Sequence, residues 1–170
     1  MTVTNPNSRL GNGIHMSNAK VELFDVALKG CQDAGLFSPE STSETTLVAA
    51  RCEFANSEYG AAVFGSLTSA KFNNCVFHDN SSDGIFVNSE ATAHLHGEAT
   101  AIHSNKQKGI SAWFSSKVLV HLPSHHNTSY NNGTDRQAAA NPYLARSLVE
   151  GVPRRASSTT DKDLIQECHQ

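Results

Sequence analysis

Nine histidines and a few scattered carboxylates are the side chains from which this 170-residue chain could build chemistry. His94 and His96 stand at i and i+2, which on a strand puts both imidazoles on one side, and His121 follows 25 residues after His96. Two imidazoles on one strand with a third on a neighbouring strand make a donor set for zinc or copper. No cysteine or carboxylate completes that set, and no catalytic metal motif is present. The expectation is therefore that no metal and no cofactor is bound, with His94, His96 and His121 the residues a metal would have to use. His78 and His103 repeat the 25-residue offset, so each pair should stack on adjacent turns of a repeat. Glycosidase chemistry needs two carboxyl groups about 5 to 9.5 Å apart, and Ca²⁺ needs several oxygen donors. Glu58, Asp79, Asp83 and Glu90 each lie among turn-forming residues. They are expected to be solvated there rather than gathered on one face.

The elements that carry these side chains follow from a repeat. The frame Asn, three variable residues and Gly occurs at Asn7 to Gly11, Asn56 to Gly60, Asn80 to Gly84 and Asn105 to Gly109, and Gly35 has Cys31 in the asparagine position. Gly11, Gly35, Gly60, Gly84 and Gly109 are 24, 25, 24 and 25 residues apart, and Gly133 follows 24 later. A constant period of that length marks a solenoid, whose units bury their apolar faces only by stacking.

Within each period the apolar residues alternate at spacing two in three short runs, the pattern of strands. Leu36, Ala61/Val63, Ile85/Val87 and Ile110/Ala112 follow the glycines, and Ile14/Met16 follow Gly13. The second run is Val21/Leu23, Leu47/Ala49, Ala70/Phe72, Ala93/Leu95 and Val118/Val120. The third is Val26/Leu28, Cys52/Phe54, Cys75/Phe77 and Thr100/Ile102. Three strands per coil predict an all-β, right-handed parallel β-helix solenoid of about five three-strand coils. The column Gly35, Gly60, Gly84 and Gly109 is expected to give the backbone freedom of a tight corner. Asn56, Asn80 and Asn105 are expected to form an amide ladder between coils.

Alternation also names what faces outward on the strand after each glycine: His15 and Ser17, Phe37, Ala62 and Phe64, Phe86 and Asn88, Ser111 and Trp113. No carboxylate is among them. Phe37, Phe64, Phe86 and Trp113 instead predict a zigzag stripe of rings able to stack on a sugar or anchor a peptide. The alternative is that the C-terminal tail covers the stripe.

The stretch Cys75-Val-Phe-His-Asp-Asn-Ser-Ser-Asp-Gly-Ile-Phe-Val-Asn88 and its echo Ala101-Ile-His-Ser-Asn-Lys-Gln-Lys-Gly-Ile-Ser-Ala112 resemble the right-handed parallel β-helix repeat of pectin-lyase-like proteins. Within that superfamily they look most like the NosD-type and F-box-type β-helices. The resemblance implies the fold over about residues 7 to 133. It does not choose a function, because the same coil carries lyases, hydrolases, epimerases, tailspikes and non-catalytic adaptors.

Boundaries and composition complete the reading. Residues 1–10 look like part of a preceding coil, 11–133 the β-helix and 134–170 a tail that is partly helical or disordered, with a short helix over 142–149 and a polar linker over 153–160. The lack of a helix covering the first coil reads as a piece cut from a longer β-helix or a truncated product. A formal charge of −3 without a basic cluster in the repeats gives no footprint for nucleic acid. No apolar stretch reaches the ~20 residues that span a membrane, and the start lacks the regions of a secretory leader, so the chain is expected in the cytoplasm. Cys52 and Cys75, 23 residues apart, are expected as reduced thiols in one interior column. Arg154-Arg-Ala-Ser157 matches a short kinase-type pattern.

The sequence thus predicts a non-catalytic recognition or scaffold module that binds a polysaccharide or protein partner through Phe37, Phe64, Phe86 and Trp113. The competing class is a fragment of a polysaccharide lyase, hydrolase or epimerase whose catalytic coils lie outside the chain.

Overall fold

The computed structural model of the chain describes residues 1–6, 11–121, 129–138 and 148–150. These residues form strands and turns, with no helix among them. Strands β1 (Thr2–Val3), β2 (Ile14–His15), β3 (Lys20–Phe24) and β4 (Ala27–Lys29) begin the stack. The next two coils contribute β5 (Ala34–Ser38), β6 (Thr45–Ala50) and β7 (Glu53–Ala55), then β8 (Tyr59–Phe64), β9 (Thr68–Asn73) and β10 (Val76–His78). After them come β11 (Ile85–Asn88), β12 (Thr92–His96) and β13 (Ala101–His103), then β14 (Lys108–Ala112), β15 (Lys117–His121) and β16 (Ser129–Tyr130). Strands β17 (Thr134–Ala138) and β18 (Leu148–Glu150) finish it.

Every third strand pairs, so three parallel sheets form: β2, β5, β8, β11, β14 and β17 (the first sheet); β3, β6, β9, β12, β15 and β18 (the second); β1, β4, β7, β10, β13 and β16 (the third). The register places like on like. Ala61, Ile85 and Ile110 align in the first sheet, Ala70, Ala93 and Val118 in the second, and Phe54, Phe77 and Ile102 in the third. Such strict alignment follows from period-two alternation, because a slip of one residue would turn every apolar side chain outward.

All the inward columns predicted from the sequence lie in or against the interior. Phe54 and Phe77 stack with ring centres 4.6 Å apart and planes 5° from parallel, and Phe72 meets both edge-on at 5.7 and 5.0 Å. Cys52 and Cys75 are buried, free thiols of one column. Burial pushes the Cys75 thiol up to about 12.

The corners differ from expectation in two ways. The stacked glycines, Gly13, Gly35, Gly60 and Gly84, do not adopt the left-handed backbone; a Cβ at each would instead come within 2.5 to 2.8 Å of the carbonyl oxygen of the glycine in the next coil. Close approach, not φ, demands glycine there. The left-handed column lies earlier in the turn, at Gly30, Asn56, Asp79, Ser104 and Asn131, whose φ values run from 54 to 63°. Asn and Asp tolerate that conformation because their short polar side chains bond locally.

Asn56 is consequently exposed at the bend and is not a rung of the ladder. Its neighbour Ser57 takes the rung, donating its backbone N–H to Asn80 Oδ1 at 3.1 Å and accepting the Cys31 N–H on its hydroxyl at 3.1 Å. Asn80 Nδ2 donates to Asn105 Oδ1 and Asn105 Nδ2 to Asn132 Oδ1, both at 2.8 Å. The ladder therefore reads Cys31, Ser57, Asn80, Asn105 and Asn132. The glycine column likewise continues from Gly109 to Asp135 rather than to Gly133, whose Cβ would meet the Lys106 and Gln107 carbonyls.

The sheets run past the expected boundary at 133, since β17 pairs with β14 and β18 with β15. Leu148 and Val149, assigned from sequence to a short helix, are in a strand. Asn7, the rest of that helix, the linker, the kinase-type pattern, His125, His126 and Cys168 lie outside the described residues.

Candidate functional site

The outer face of the first sheet holds the predicted aromatic stripe. Register sets Phe37, Ala62, Phe86 and Ser111 in one outward column and Phe64 beside Asn88 in the next. Large rings alternate with small residues along that first column. Ala62 and Ser111, expected to be outward and open, are buried. The half-buried Phe37, Phe64 and Phe86 and the exposed His15 form a continuous edge-to-face run: His15 to Phe37 at 5.2 Å, Phe37 to Phe64 at 5.7 Å, and Phe64 to Phe86 at 5.4 Å. Tyr59 extends it, stacked on Phe86 at 5.6 Å.

Trp113 stands apart from that run. Ser111 and Asn88 occupy the positions next to Phe86 and Phe64 where a ring would have bridged to it. Its indole Nε1 donates to Ser111 Oγ at 2.8 Å, Lys108 Nζ lies 5.4 Å from its ring centre, and its ring contact is with Phe114 at 6.5 Å.

At the start of the same strands sits a polar group that sequence reasoning missed. Tyr59, Asp83 and Lys108 occupy one column, just before the stacked glycines. Asp83, expected to be a solvated turn residue, is buried; its Oδ1 accepts the Lys108 N–H at 3.0 Å. Desolvation raises its carboxyl above the ordinary range, offset in part by the Lys108 charge and hydrogen bonds from Lys108 and Ser111. Burial likewise raises the Tyr59 hydroxyl. The signal available in the sequence was the period itself, which aligns 59, 83 and 108.

At the corner leading to the second sheet, a shallow groove is lined by Glu40, Ser41, Ser66, Ser89, Glu90 and Phe114. It adjoins Phe64 through Gly65, also a lining residue. Phe114 is 43% exposed, one of the few large apolar side chains so open among the described residues. Rings on one side and carboxylates with hydroxyls on the other make a surface suited to a ligand with both apolar faces and many hydroxyls.

Two further clusters lie on the other sheets. On the third, Glu53 Oε1 accepts from Lys29 Nζ at 2.7 Å and lies 2.8 Å from His78 Nε2, while His78 Nδ1 is 2.6 Å from Asp79 Oδ2. The Lys29 hydrogen bond, with help from His78, holds the Glu53 carboxyl below its ordinary range despite some burial. His78, His103 and Tyr130 stack above one another at 5.2 and 5.1 Å, as the period predicted for the two histidines. On the second sheet His96 and His121 stack at 4.4 Å and 4°, and His94 joins them. Burial is the main cause that lowers His94 and His96 below the usual imidazole range, with the neighbouring His121 and Lys71 adding to it.

Comparison with known families gives one match: the family model described as right handed beta helix region covers residues 12–135. No curated protein and no solved structure is matched by the chain.

Proposed function

The chain belongs to the right-handed β-helix family, and from that premise we propose that it is a non-catalytic recognition module binding a neutral glycan along the outer face of its first sheet. The observation that carries this reading is the unbroken run His15, Phe37, Phe64, Phe86 and Tyr59, held in register by four successive strands of the first sheet. Rings fixed on a rigid sheet bring contact area at low entropic cost. Polar groups at the margins suit hydroxyls: Asn88 within the stripe, and Glu40, Glu90 and the serines in the adjoining groove. The two glutamates also disfavour an acidic polymer, because like charges brought together without partners repel.

The test is an array of neutral oligosaccharides, polyuronates and peptides, read with the native chain and with Phe64→Ala and Phe86→Ala. Neutral glycans should be retained, and each substitution should weaken binding about tenfold, the effect of ~1.4 kcal/mol. Binding that ignores both substitutions would remove the stripe from the site. Binding of peptides alone would make the module a protein adaptor, and turnover of a bound glycan would make it an enzyme.

A further inference from the structure

The geometry of the second sheet points to a divalent-metal site of three imidazoles, His94, His96 and His121, for a borderline cation of the Zn²⁺ or Cu²⁺ type. His94 and His96 project from the same side of β12, and His121 on β15 is the register partner of His96. One ligand atom from each of the three lies within 4.8 Å of the others, and His94 Nδ1 is 3.0 Å from His121 Nε2. Nitrogens bound to one tetrahedral zinc at ~2.0–2.1 Å are about 3.3–3.4 Å apart, so closing the site asks for up to about 1.5 Å of movement. The rings must also turn. They are stacked within 4 to 16° of parallel, whereas a metal lies in the plane of each imidazole it binds. His121 is exposed and His94 and His96 are only half-buried, so the rotation displaces water rather than core.

The surroundings decide the type of ion. Three neutral nitrogen donors without a carboxylate favour Zn²⁺, Ni²⁺ and Cu²⁺ over Ca²⁺ or Mg²⁺, which take oxygen. Lys71 is the register partner of His94 on β9 and carries the opposing charge, but it is exposed and its long stem can swing the ammonium away. Three protein ligands leave coordination positions open to solvent, and since they come from successive coils the ion would join β12 to β15.

The experiment titrates the full chain with Zn²⁺ calorimetrically, using His94→Ala, His96→Ala and His121→Ala, with the double variant His78→Ala/His103→Ala as control. One ion should bind per chain. Each single substitution should weaken it by more than the ~10-fold that loss of even an outer partner of a metal ligand costs. The control should bind as the native chain does. Added Zn²⁺ should raise the melting temperature of the native chain and not that of His121→Ala, whose metal-free melting should match the native one and so separate loss of a ligand from loss of fold. Absence of saturable one-to-one binding, equal affinity in His121→Ala, or a loss confined to a His125→Ala/His126→Ala variant would overturn the proposal.

Discussion

Asn80 gives its side-chain amide to Asn105 Oδ1 at 2.8 Å and, with the same nitrogen, to the Phe54 carbonyl at 3.3 Å, while Asn105 Oδ1 also receives the Asn80 backbone N–H at 3.2 Å. One oxygen thus closes two donors of the coil before it, and the pattern repeats between Asn105 and Asn132. Asn80 and Asn105 are buried, so water cannot replace the bonds.

Asn80→Ala should therefore cost about 1–3 kcal/mol, the penalty for orphaned buried donors and acceptors. Asn56→Gly should change stability by less than ~0.5 kcal/mol, because the exposed bend residue has φ 54° and makes no rung. Urea denaturation of the two variants measures the contrast, and equal losses would refute the ladder as assigned.

The two kinds of glycine should separate just as cleanly. Gly60→Ala brings a Cβ within 2.5 Å of the Gly84 carbonyl oxygen, which forces coils apart and should cost roughly 1–3 kcal/mol or more. Gly30→Asn should be tolerated, since at φ +63° nothing lies within 4 Å of an added Cβ and Asn accepts that backbone. Thermal melts of both variants are the check.

Acid and neutral pH should act oppositely on two carboxylates. Glu53 is held low by Lys29 and His78, so its contribution is present above the ordinary glutamate range and is lost as pH falls through its depressed folded value. Asp83 is raised by burial, so the folded state prefers its neutral form and loses stability as pH rises from the ordinary aspartate value through the raised one. Glu53→Gln should then melt below the native chain at neutral pH and converge with it in acid. Asp83→Asn, which keeps an oxygen for the Lys108 N–H, should melt above it at neutral pH, and that advantage should shrink in acid. Melting curves at several pH values decide both.

Cys75 should resist alkylation until the coil opens. Its thiol is buried and pushed up to about 12, so almost no thiolate is available near neutral pH. Peptide-resolved mass spectrometry after iodoacetamide treatment should find Cys75 modified only in denaturant, and rapid native labelling would contradict the interior column.

The strand columns were legible because alternation and period are carried by side-chain type alone: Phe54, Phe77 and Ile102, or Ala70, Ala93 and Val118, are aligned in the sequence as they are in the sheets. The corners were not, because chain length there varies by a residue. Asn56 matches the Asn-to-Gly spacing, yet the turn before Gly60 is one residue shorter than its neighbours, so Ser57 reaches the rung. Residue type did hold a clue, since Gly30, Asn56, Asp79, Ser104 and Asn131 are all types suited to a tight bend. On the outer face the aromatic run was readable, but Trp113 fell out of it because ring contact depends on which residue lies between, here Ser111 and Asn88. The buried Asp83 was missed because turn acids look alike until a neighbouring coil covers one of them.

The spacing of the ladder also sets how the chain assembles. Cys31 bonds Ser57 across 26 residues, Asn80 bonds Asn105 across 25, and Asn105 bonds Asn132 across 27. Each coil therefore closes a loop of nearly the same length, at nearly the same entropic cost, which grows only with the logarithm of loop length. Once one coil has formed, the next is laid on a ready edge at a fixed toll and returns a fixed gain. Folding of such a chain is growth along a line from a nucleus, and lengthening it by whole coils adds stability without adding a harder step.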